Sequence, residues 1–493
     1  MSNELNEITF KDFKLKSEIM TSIDTAGFKI PSPIQTQAIP VILNGKDVVG
    51  QAHTGTGKTA AFGLPILNNM NLRGGVEALV ITPTRELANQ VSDELFKYGK
   101  NLGIRTVTIF GGSSYKRQMD LVERGAQVII ATPGRLLDML KRNMLKGFKP
   151  NFVVLDEADE MLDMGFLDDI NEIFNYLPKE RQTLLFSATM PAPIKKLAER
   201  ILVEPEFISI TTKETTNKDI SQQYFVIDEN ERDDALIRLL DAYETQKCVV
   251  FCRTKKEVDR VSNVLSAVGH SAKGLHGDME QHQRESVIKG LKSNAIDILI
   301  ATDVAARGIH IDNISHVFNF HIPFDSESYV HRIGRTGRAG TKGVAITFVT
   351  PLEFKELQRI KSKVGTTMEH AFIPTKDDVR KTNTSSLVRQ IEQQKVYDEA
   401  HEVLDMIGDE YDQAQVAYKL VSLLLQRQNI KGPSRIGIDP VRLEKILAGL
   451  ARRKDSHGGG RGRSRHGGHR SRDRNRSNSR SSSSRNRSHS KRD

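Results

Sequence analysis

The sequence predicts two tandem α/β domains, each built on a parallel sheet, followed by a small helical module and a disordered basic tail. Short apolar runs, such as residues 78–82 and 152–156, alternate along the chain with longer amphipathic stretches such as 86–102. The runs are apolar at successive positions, which is typical of parallel strands buried on both faces. Their regular alternation with helices predicts doubly wound sheets.

The apolar runs form two series, which predict two domains. The first series ends near residue 189, and the second begins at 248–252. A polar stretch rich in Thr and Lys, 210–222, separates them and is interpreted as a linker. We therefore expect the first domain at 1–209 and the second at 223–370.

The net charge of +10 arises from the end of the sequence. Residues 456–493 contain 11 Arg and 1 Lys against 2 Asp, which leaves the rest of the chain neutral. This tail has no Val, Ile, Leu, Met, Phe, Tyr or Ala, so it cannot bury a core, and we expect it to be disordered. Because the body is neutral, any contact it makes with a polyanion must depend on the local placement of charge.

The composition argues against membrane and secreted proteins. No apolar run approaches the roughly 20 residues that a membrane-spanning helix needs. The opening segment MSNELNEITF lacks the basic and apolar regions of a secretory signal. The two cysteines, Cys248 and Cys252, flank a β-branched run and are expected to be small buried residues rather than a disulfide or a zinc pair. These features suit a reducing cytoplasm.

A glycine-rich segment, AHTGTGKT at residues 52–59, lies between an apolar run and a helical pattern. In a strand–loop–helix unit of this kind, Gly55 and Gly57 let backbone N–H groups approach phosphates. Lys58 would then reach the β- and γ-phosphates, and Thr59 would hold Mg²⁺. The usual phosphate-loop pattern has Gly at the first position, where this chain has Ala, so on this segment alone an ordinary turn is the alternative.

A buried-strand pattern at 152–155 ends in the four residues Asp-Glu-Ala-Asp at 156–159. A carboxylate at the carboxyl end of a central strand is where a second Mg²⁺ ligand must stand. Asp156 fits that role, and Glu157 is placed to polarise an attacking water molecule. The alternative is an acidic helix start. The glycine-rich loop about a hundred residues upstream argues against it.

The segment HRIGRTGR at 331–338 supplies two guanidinium groups, Arg335 and Arg338, near an expected turn. Phosphoryl transfer is accelerated strongly by Arg side chains placed on the γ-phosphate. If the second domain faces the phosphate loop, these two side chains are candidate Arg fingers. On its own, the segment is also compatible with a solvated basic turn.

In order and spacing, these motifs resemble those of DEAD-box RNA helicases over roughly residues 8–370, in particular the bacterial helicases of the cold-shock and mRNA-decay type. The resemblance implies two RecA-like domains that bind ATP and Mg²⁺ and form an RNA-stimulated ATP hydrolase. It also implies that Phe28 stacks on adenine and that Gln35 hydrogen-bonds its edge. Other nucleotide contacts implied by the resemblance are Thr54, Gly55, Thr56, Gly57, Lys58, Thr59, Asp303 and Gly308.

Further segments resemble the RNA-facing loops of the family. Ser187 and Thr189 belong to a motif that links hydrolysis to strand separation. Short loops of Thr, Gly and Arg suit phosphate and ribose contacts, so we expect sequence-independent binding to a single RNA strand. The RNA contacts implied by the resemblance are Pro83, Thr84, Arg85, Gly112, Thr132, Arg135, Gln281, Arg284 and Thr302.

Three positions depart from the family pattern. His53 stands where Gln is common, and Leu291 replaces an expected Phe; we expect both to be tolerated. His310 occupies the position of an Asp that is expected to contact the ribose of the nucleotide. A neutral imidazole accepts one hydrogen bond but lacks the carboxylate charge, so we expect weaker ATP affinity or weaker closure than with Asp.

The resemblance predicts an ATP-driven closure of the cleft between the domains, with local bending of one RNA strand. A bent strand cannot stay paired in an A-form duplex, so a short helix would be opened. Two other functions remain compatible with parts of this pattern: an RNA clamp that barely unwinds, and a DNA-translocating helicase. The DEAD signature and the element containing Phe28 and Gln35 argue against the second.

The chain beyond residue 370 allows several roles. Apolar residues at helical spacing predict a helical module at 371–455, which could pack on domain two, form a homodimer or bind RNA directly. The tail is expected to bind RNA, with a solubilising role as the alternative. Ribonuclease, degradosome or ribosomal partners and roles in RNA decay, ribosome assembly or cold adaptation are all compatible with a bacterial cytoplasmic helicase. The RS-like tail leaves a nuclear location open.

Overall fold

A computed structural model of the chain describes residues 8–52, 55–72, 74–210, 219–243, 245–306, 309, 314–337, 341–407, 411–427, 430, 432–439, 441–446 and 448–449. The chain divides into two compact units, Met1–Asp439 and Pro440–Asp493. The larger unit contains two sheets of seven strands each, and every strand pairing is parallel. The predicted α/β class is therefore confirmed.

The first sheet is formed by β1 (Val48–Gln51), β2 (Ala78–Ile81), β3 (Thr106–Ile109), β4 (Val128–Ala131), β5 (Phe152–Asp156), β6 (Gln182–Ser187) and β7 (Glu206–Ser209). Its strand order is β3-β4-β2-β5-β6-β1-β7. The helices that accompany it are α1 (Ser17–Thr25), α2 (Pro33–Leu43), α3 (Lys58–Asn69), α4 (Arg85–Gly99), α5 (Tyr115–Glu123), α6 (Pro133–Lys141), α7 (Ala158–Asp163), α8 (Leu167–Tyr176) and α9 (Ala192–Ile201).

Both faces of the first sheet are covered by apolar side chains. Along β5, Val154 packs in one hydrophobic cluster with residues of α2 and α3, whereas Val153 and Leu155 pack in another with residues of α6 and α9. Successive residues of a strand point to opposite faces, so a strand buried on both sides must be apolar throughout. This explains why the central strands are continuous apolar runs in the sequence.

The second sheet is formed by β8 (Ile220–Val226), β9 (Cys248–Phe251), β10 (Ala272–Leu275), β11 (Ile298–Ala301), β12 (His316–Asn319), β13 (Gly343–Val349) and β14 (Glu369–Ala371). Its strand order is β10-β11-β9-β12-β13-β8-β14. The accompanying helices are α10 (Arg232–Ala242), α11 (Lys255–Ala267), α12 (Gln281–Lys292), α13 (Asp303–Ala306), α14 (Ser326–Ile333) and α15 (Phe354–Val364). Short 3₁₀ helices lie at Phe10–Phe13, Lys100–Leu102, Glu229–Glu231 and Pro351–Glu353.

The segment predicted as a linker, 210–222, overlaps β8, which begins at Ile220. Most of the remaining predicted linker, 211–218, lies outside the described residues. The start of β8 is polar because exposed and buried residues alternate there, with Ser221 exposed and Gln222 buried. A strand that alternates in this way resembles a polar connection in the sequence.

The helices that follow the second sheet include α16 (Lys376–Gln393), α17 (Asp398–Ile407) and α18 (Gln413–Arg427). The chain then turns back, and residues 432–438, here called the return segment, pack against the second sheet. Ile438 N–H donates to Val226 O at 3.2 Å, and Ile436 joins the hydrophobic cluster around Phe225. Part of the predicted helical module is therefore bound to the second sheet.

Among the helices that the structure describes, none has the length and apolarity needed to cross a membrane.

Candidate active site

The strand order brings the predicted motifs into two groups. β5, β6 and β1 are neighbours, so Asp156 at the end of β5 and Ser187 at the end of β6 lie beside the loop that leads from β1 to Lys58, at the carboxyl edge of the first sheet. β3, β4 and β2 are neighbours at the other end, and the loops after them carry Gly112 and Arg85 among the predicted RNA contacts. Ligands of open parallel sheets bind at this carboxyl edge.

The glycine-rich loop adopts a backbone that favours glycine at two positions. Gly55 and Gly57 have φ values of 85° and 87°, and α3 begins at Lys58 directly after them. A Cβ atom on Gly57 would lie 2.3 Å from Nε2 of Gln35, so no side chain fits there without a shift. The loop thus leads its N–H groups into a helix N-terminus, which favours bound anions.

Gln35 and Ser32 hold this loop from the adjacent helix. Gln35 Nε2 donates to Gly57 O at 3.1 Å, and Ser32 Oγ donates to Thr56 O at 2.7 Å. Phe28 is half-buried and stacks on Phe10 with ring centroids 6.0 Å apart. The segment that resembles an adenine-recognition motif is therefore fixed directly to the predicted phosphate loop.

Lys58 and Glu157 form a buried ion pair at the centre of the site. Lys58 Nζ lies 2.7 Å from Glu157 Oε1, and the two side chains are only 5% and 7% exposed. Burial alone would lower the pKa of Lys58, but the carboxylates of Glu157 and Asp156 outweigh burial and raise that pKa. Lys58 therefore stays charged, as a phosphate-binding cation must.

Asp156 is a candidate metal ligand because its carboxylate is buried and incompletely satisfied. Burial raises the pKa of Asp156 to about 7, although Lys58 opposes the shift. Its Oδ1 atom has no hydrogen-bond partner within the described part of the chain. An oxygen donor of this kind, together with the Thr59 hydroxyl, suits Mg²⁺, which usually takes one or two protein carboxylates and completes its shell with phosphates and water.

Glu157 occupies an unusual backbone conformation. Its φ and ψ are both 55°, in the left-handed region, and it precedes the first residue of α7. A non-glycine residue in this region costs roughly 1–2 kcal/mol, and such strain is concentrated at functional sites. The strain supports a functional role for this carboxylate.

Asp159 connects the DEAD segment to Ser187 and Thr189. Its Oδ2 atom accepts from Thr189 N at 2.7 Å and Thr189 Oγ1 at 2.9 Å, while Asp159 N–H donates to Ser187 Oγ at 3.1 Å. Burial raises the pKa of Asp159, but Lys58 and these hydroxyl groups outweigh it and lower the pKa overall. Ser187 and Thr189 therefore hold Asp159 in position. The sequence did not predict that Asp159 is the residue that these two side chains contact.

The second sheet contributes Arg335 to the same region. Arg335 Nη2 lies 3.8 Å from Glu160 Oε1, beside the DEAD segment, and both side chains are under 10% exposed. Arg332 pairs with both carboxylate oxygens of Asp303, at 2.6 and 2.8 Å. Asp303, predicted as a nucleotide contact, thus fixes the end of α14, which directly precedes the turn that carries Arg335. Among the predicted site residues, Thr54, Gly308 and Arg338 lie outside the described residues, as do His53 and His310.

The predicted RNA contacts of the two sheets also meet. Arg85 Nη1 donates to Gln281 Oε1 at 3.0 Å, and Arg284 Nη2 lies 3.1 Å from Glu86 Oε1. Gly112 has a φ of 77°, and a Cβ there would lie 2.6 Å from the Arg85 guanidinium. A side chain at position 112 would therefore be strained at this φ and would require the Arg85 guanidinium to shift.

The remaining predicted RNA contacts are placed by the local structure of domain one and by a short cap in domain two. Thr84 caps α4 by accepting from Leu87 N at 3.2 Å, directly after Pro83, and Thr132 precedes the first residue of α6. Arg135 stacks on Tyr115, 3.9 Å from the ring centroid. Thr302 Oγ1 accepts from Ala305 N at 3.4 Å. The ion pair of Glu86 with Arg284 across the cleft was not predicted, because the segment that contains Glu86, PTRELA, indicates RNA contact.

Comparison with known proteins gives the same assignment for both sheets. Residues 32–197 match the family model described as DEAD/DEAH box helicase, and 231–340 match that of the helicase conserved C-terminal domain. The chain is similar to the DEAD-box ATP-dependent RNA helicase RhpA of Helicobacter pylori, with 50% identity over 89% of this chain and 87% of that protein. It is also similar to CshA of Geobacillus kaustophilus, with 50% identity over 75% of this chain and 79% of that protein.

Solved structures agree with this similarity. Saccharomyces cerevisiae Dbp5 bound to RNA and ADP BeF3 has a TM-score of 0.68 and 34% identity, covering 74% of this chain and 95% of that one. Mss116p bound to ssRNA and AMP-PNP has a TM-score of 0.68 and 28% identity, covering 77% of this chain and 82% of that one.

Proposed function

This chain belongs to the DEAD-box family of ATP-dependent RNA helicases, and on that basis we propose a role for each of its site residues. The enzyme hydrolyses ATP and acts on RNA. We propose that ATP joins the two domains, that the joined domains bend one RNA strand, and that hydrolysis releases them. The proposed domains are 1–209 and 223–370, followed by a helical extension, 371–455, and an RNA-binding tail, 456–493.

The nucleotide is proposed to bind to the first sheet. Phe28 and Gln35 would recognise adenine, and residues 54–59 would hold the phosphates, with Lys58 on the β- and γ-phosphates. Thr59 and Asp156 would hold Mg²⁺, which when bound would neutralise charge on the phosphates. Glu157 would accept a proton from the attacking water. The unpartnered Oδ1 of Asp156 and the strained backbone of Glu157 support these roles.

One observation carries the proposed mechanism: Arg335 of the second sheet lies 3.8 Å from Glu160, beside the DEAD segment of the first sheet. Arg335, with Arg338, would therefore reach the γ-phosphate only when the two domains are docked. Docking also brings Arg85 of one domain to Gln281 of the other, where RNA would be bound. ATP and RNA should therefore bind cooperatively, because each favours the same docked state.

Closure can be measured by energy transfer between dyes on the two domains. Lys179 and Lys292 are exposed positions on the first and second domains that can be replaced with Cys. The native Cys248 and Cys252 are buried, and burial raises the pKa of both thiols, so they should not be labelled. We expect the dyes to approach when RNA and a non-hydrolysable ATP analogue are added together. An unchanged separation with both ligands would contradict the mechanism.

We also propose a bacterial cytoplasmic location and self-association through α17 and α18. Their described apolar side chains support this proposal, because Met406 and Tyr418 are 87% and 76% exposed. Ribonuclease or ribosomal partners and roles in RNA decay, ribosome assembly or cold adaptation are further proposals. Sequencing the RNA crosslinked to the protein in its own cells would distinguish among these roles.

A further inference from the structure

Helix α15 carries an exposed basic face that plays no part in the cleft. Lys355, Arg359 and Lys363 are all exposed, and each lies four positions after the one before it. Residues four apart lie on one side of a helix and about 6 Å apart along its axis, which is comparable to the spacing of phosphates along an extended strand. None of the three pairs with a carboxylate in the part of the chain that the structure describes. Glu356 is the acidic residue of this helix.

Aromatic rings lie on both sides of this basic face. On one side, Arg359 Nη2 donates to Phe324 O at 2.6 Å, and the Phe324 side chain is 74% exposed. On the other side, Lys361 and Phe354 both contact the ring of Tyr224, which is stacked on His370.

The second ring cluster continues to an exposed edge of the sheet. His370 and Phe372 are two residues apart in and beside β14, so they share one face, and their ring centroids are 4.6 Å apart. Phe372 is 53% exposed. Burial lowers the pKa of His370, so its ring is neutral at neutral pH and offers a flat surface rather than a charge.

The position of this surface separates it from the cleft. The predicted RNA contacts Gln281 and Arg284 follow β10, at one edge of the second sheet, whereas β14 is the opposite edge. Six strand spacings of about 4.8 Å place the two edges roughly 29 Å apart. An RNA strand that fills only the cleft would not reach Phe372 beside β14, and a longer strand would.

We propose that the exposed face of α15, flanked by Phe324 and Phe372, binds a second segment of single-stranded RNA outside the cleft. Cations that have no carboxylate partner among the described residues, at phosphate-like spacing and next to exposed rings, form the combination that sequence-independent single-strand binding uses. An acidic protein segment would use the cations but would not need the rings. The surface would hold the flanking strand while the cleft opens and closes.

The test uses the full chain with the variant K355Q/R359Q/K363Q and two probes, oligouridine of 10 and of 30 nucleotides. We expect the affinity for the long probe to fall, and its logarithm to depend less steeply on the logarithm of salt concentration, by about 2 for three lost phosphate contacts. Affinity for the short probe and the ATP hydrolysis that it stimulates should not change. The variant F372A should lower the affinity for the long probe roughly fivefold or more, because stacking on the ring is lost.

The variant K179Q/K195Q/K196Q is the matched control, because it removes the same charge from exposed positions of the first domain. The variant K355R/K363R keeps the positive charge at both positions and should leave binding of the long probe intact. Equal losses in the α15 variant and the control, or an unchanged salt slope, would overturn the proposal. It would also be overturned if the α15 variant bound RNA normally but lost binding to polyglutamate, because the face would then dock an acidic protein. All these outcomes could still be measured if the proposed closure of the cleft between the domains did not occur.

Discussion

At the scale of single residues, Glu157 concentrates the chemistry of the site. It pairs with Lys58, adopts a left-handed backbone and lies next to Asp156. We expect Glu157→Gln to slow hydrolysis by roughly 10²-fold or more, because the amide keeps the shape but cannot accept a proton. Single-turnover hydrolysis with saturating RNA measures this, and the ATP and RNA complex should persist. Glu180→Gln, at an exposed position of the same domain, is the control; rapid turnover in the Glu157 variant would refute the base assignment.

Glu353 provides a second test at this scale, on stability rather than catalysis. One oxygen lies 2.7 Å from Arg232 and the other 2.9 Å from Arg253. Burial raises the pKa of Glu353, but the hydrogen bond from Thr350 and the two Arg side chains outweigh it and lower the pKa below 4.5. The carboxylate therefore stabilises the fold fully above about pH 4.5, and this contribution is lost as the pH falls through the lowered pKa.

We expect Glu353→Gln to reduce the free energy of unfolding at pH 7 by about 3 kcal/mol, because buried Arg232 loses a charged partner. The difference from the unmodified protein should shrink as the pH falls below about 4.5. Denaturant unfolding at several pH values measures both effects. Glu356→Gln, an exposed neighbour, should change little. A difference that is constant between pH 7 and pH 3 would show that the ion pairs do not stabilise the fold.

At the scale of helices and strands, the sequence is most informative where burial is complete. Central strands were identified as strands, such as β2, which is apolar throughout, and β5, which is apolar up to Asp156. β7, β8, β10 and β14 were not, because they lie at or near a sheet edge, where some side chains face solvent or a small residue replaces an apolar one. A run of apolar residues predicts a strand well when both faces of the strand are buried. The prediction is weaker when only one face is buried.

Residues of the site could likewise be predicted where their role follows from neighbouring residues in the sequence, and not where it depends on residues far away in the sequence. Lys58, Asp156 and Glu157 could be predicted because each lies in a short motif with its own chemical logic. Glu86 and Glu160 could not, because their partners, Arg284 and Arg335, are far away in the sequence and belong to another sheet. The return segment was missed for the same reason, since only the fold brings it to the second sheet.

The return segment is held mainly by Arg238, a nearly fully buried side chain of α10. Its guanidinium donates to Pro433 O at 2.6 Å and to Pro374 O at 3.1 Å, which ties both the return segment and the start of the helical extension to α10. We expect Arg238→Met to destabilise the protein by about 2–4 kcal/mol, because two carbonyl groups lose their donors. Hydrogen exchange should become faster at Ile438 and Gly437. Arg389→Met, at an exposed position of α16, is the control; unchanged protection would show that other contacts hold the segment.

At the scale of the whole molecule, the two sheets meet through side chains that include proposed ligand contacts. Arg335 reaches Glu160, and Arg85 reaches Gln281, so the docked arrangement has contacts of its own. Such contacts lower the free energy that ATP and RNA together must supply to close the cleft. If they were too strong, the domains would close without RNA, and hydrolysis would lose its dependence on it.

The ion pair between Glu86 and Arg284 tests this balance, because both side chains are only about 14% exposed and belong to different sheets. We expect Glu86→Ala and Arg284→Ala each to weaken cooperative binding of RNA and a non-hydrolysable ATP analogue. Arg284→Ala should cost more, since Arg284 is also a proposed RNA contact. If the pair contributes to closure, the double variant should lose less than the sum of the two, with a coupling free energy on the order of 1 kcal/mol. Glu94→Ala, on the same helix as Glu86, is the control. Strictly additive losses would assign Glu86 to the first domain alone and leave the docked state to the ligands.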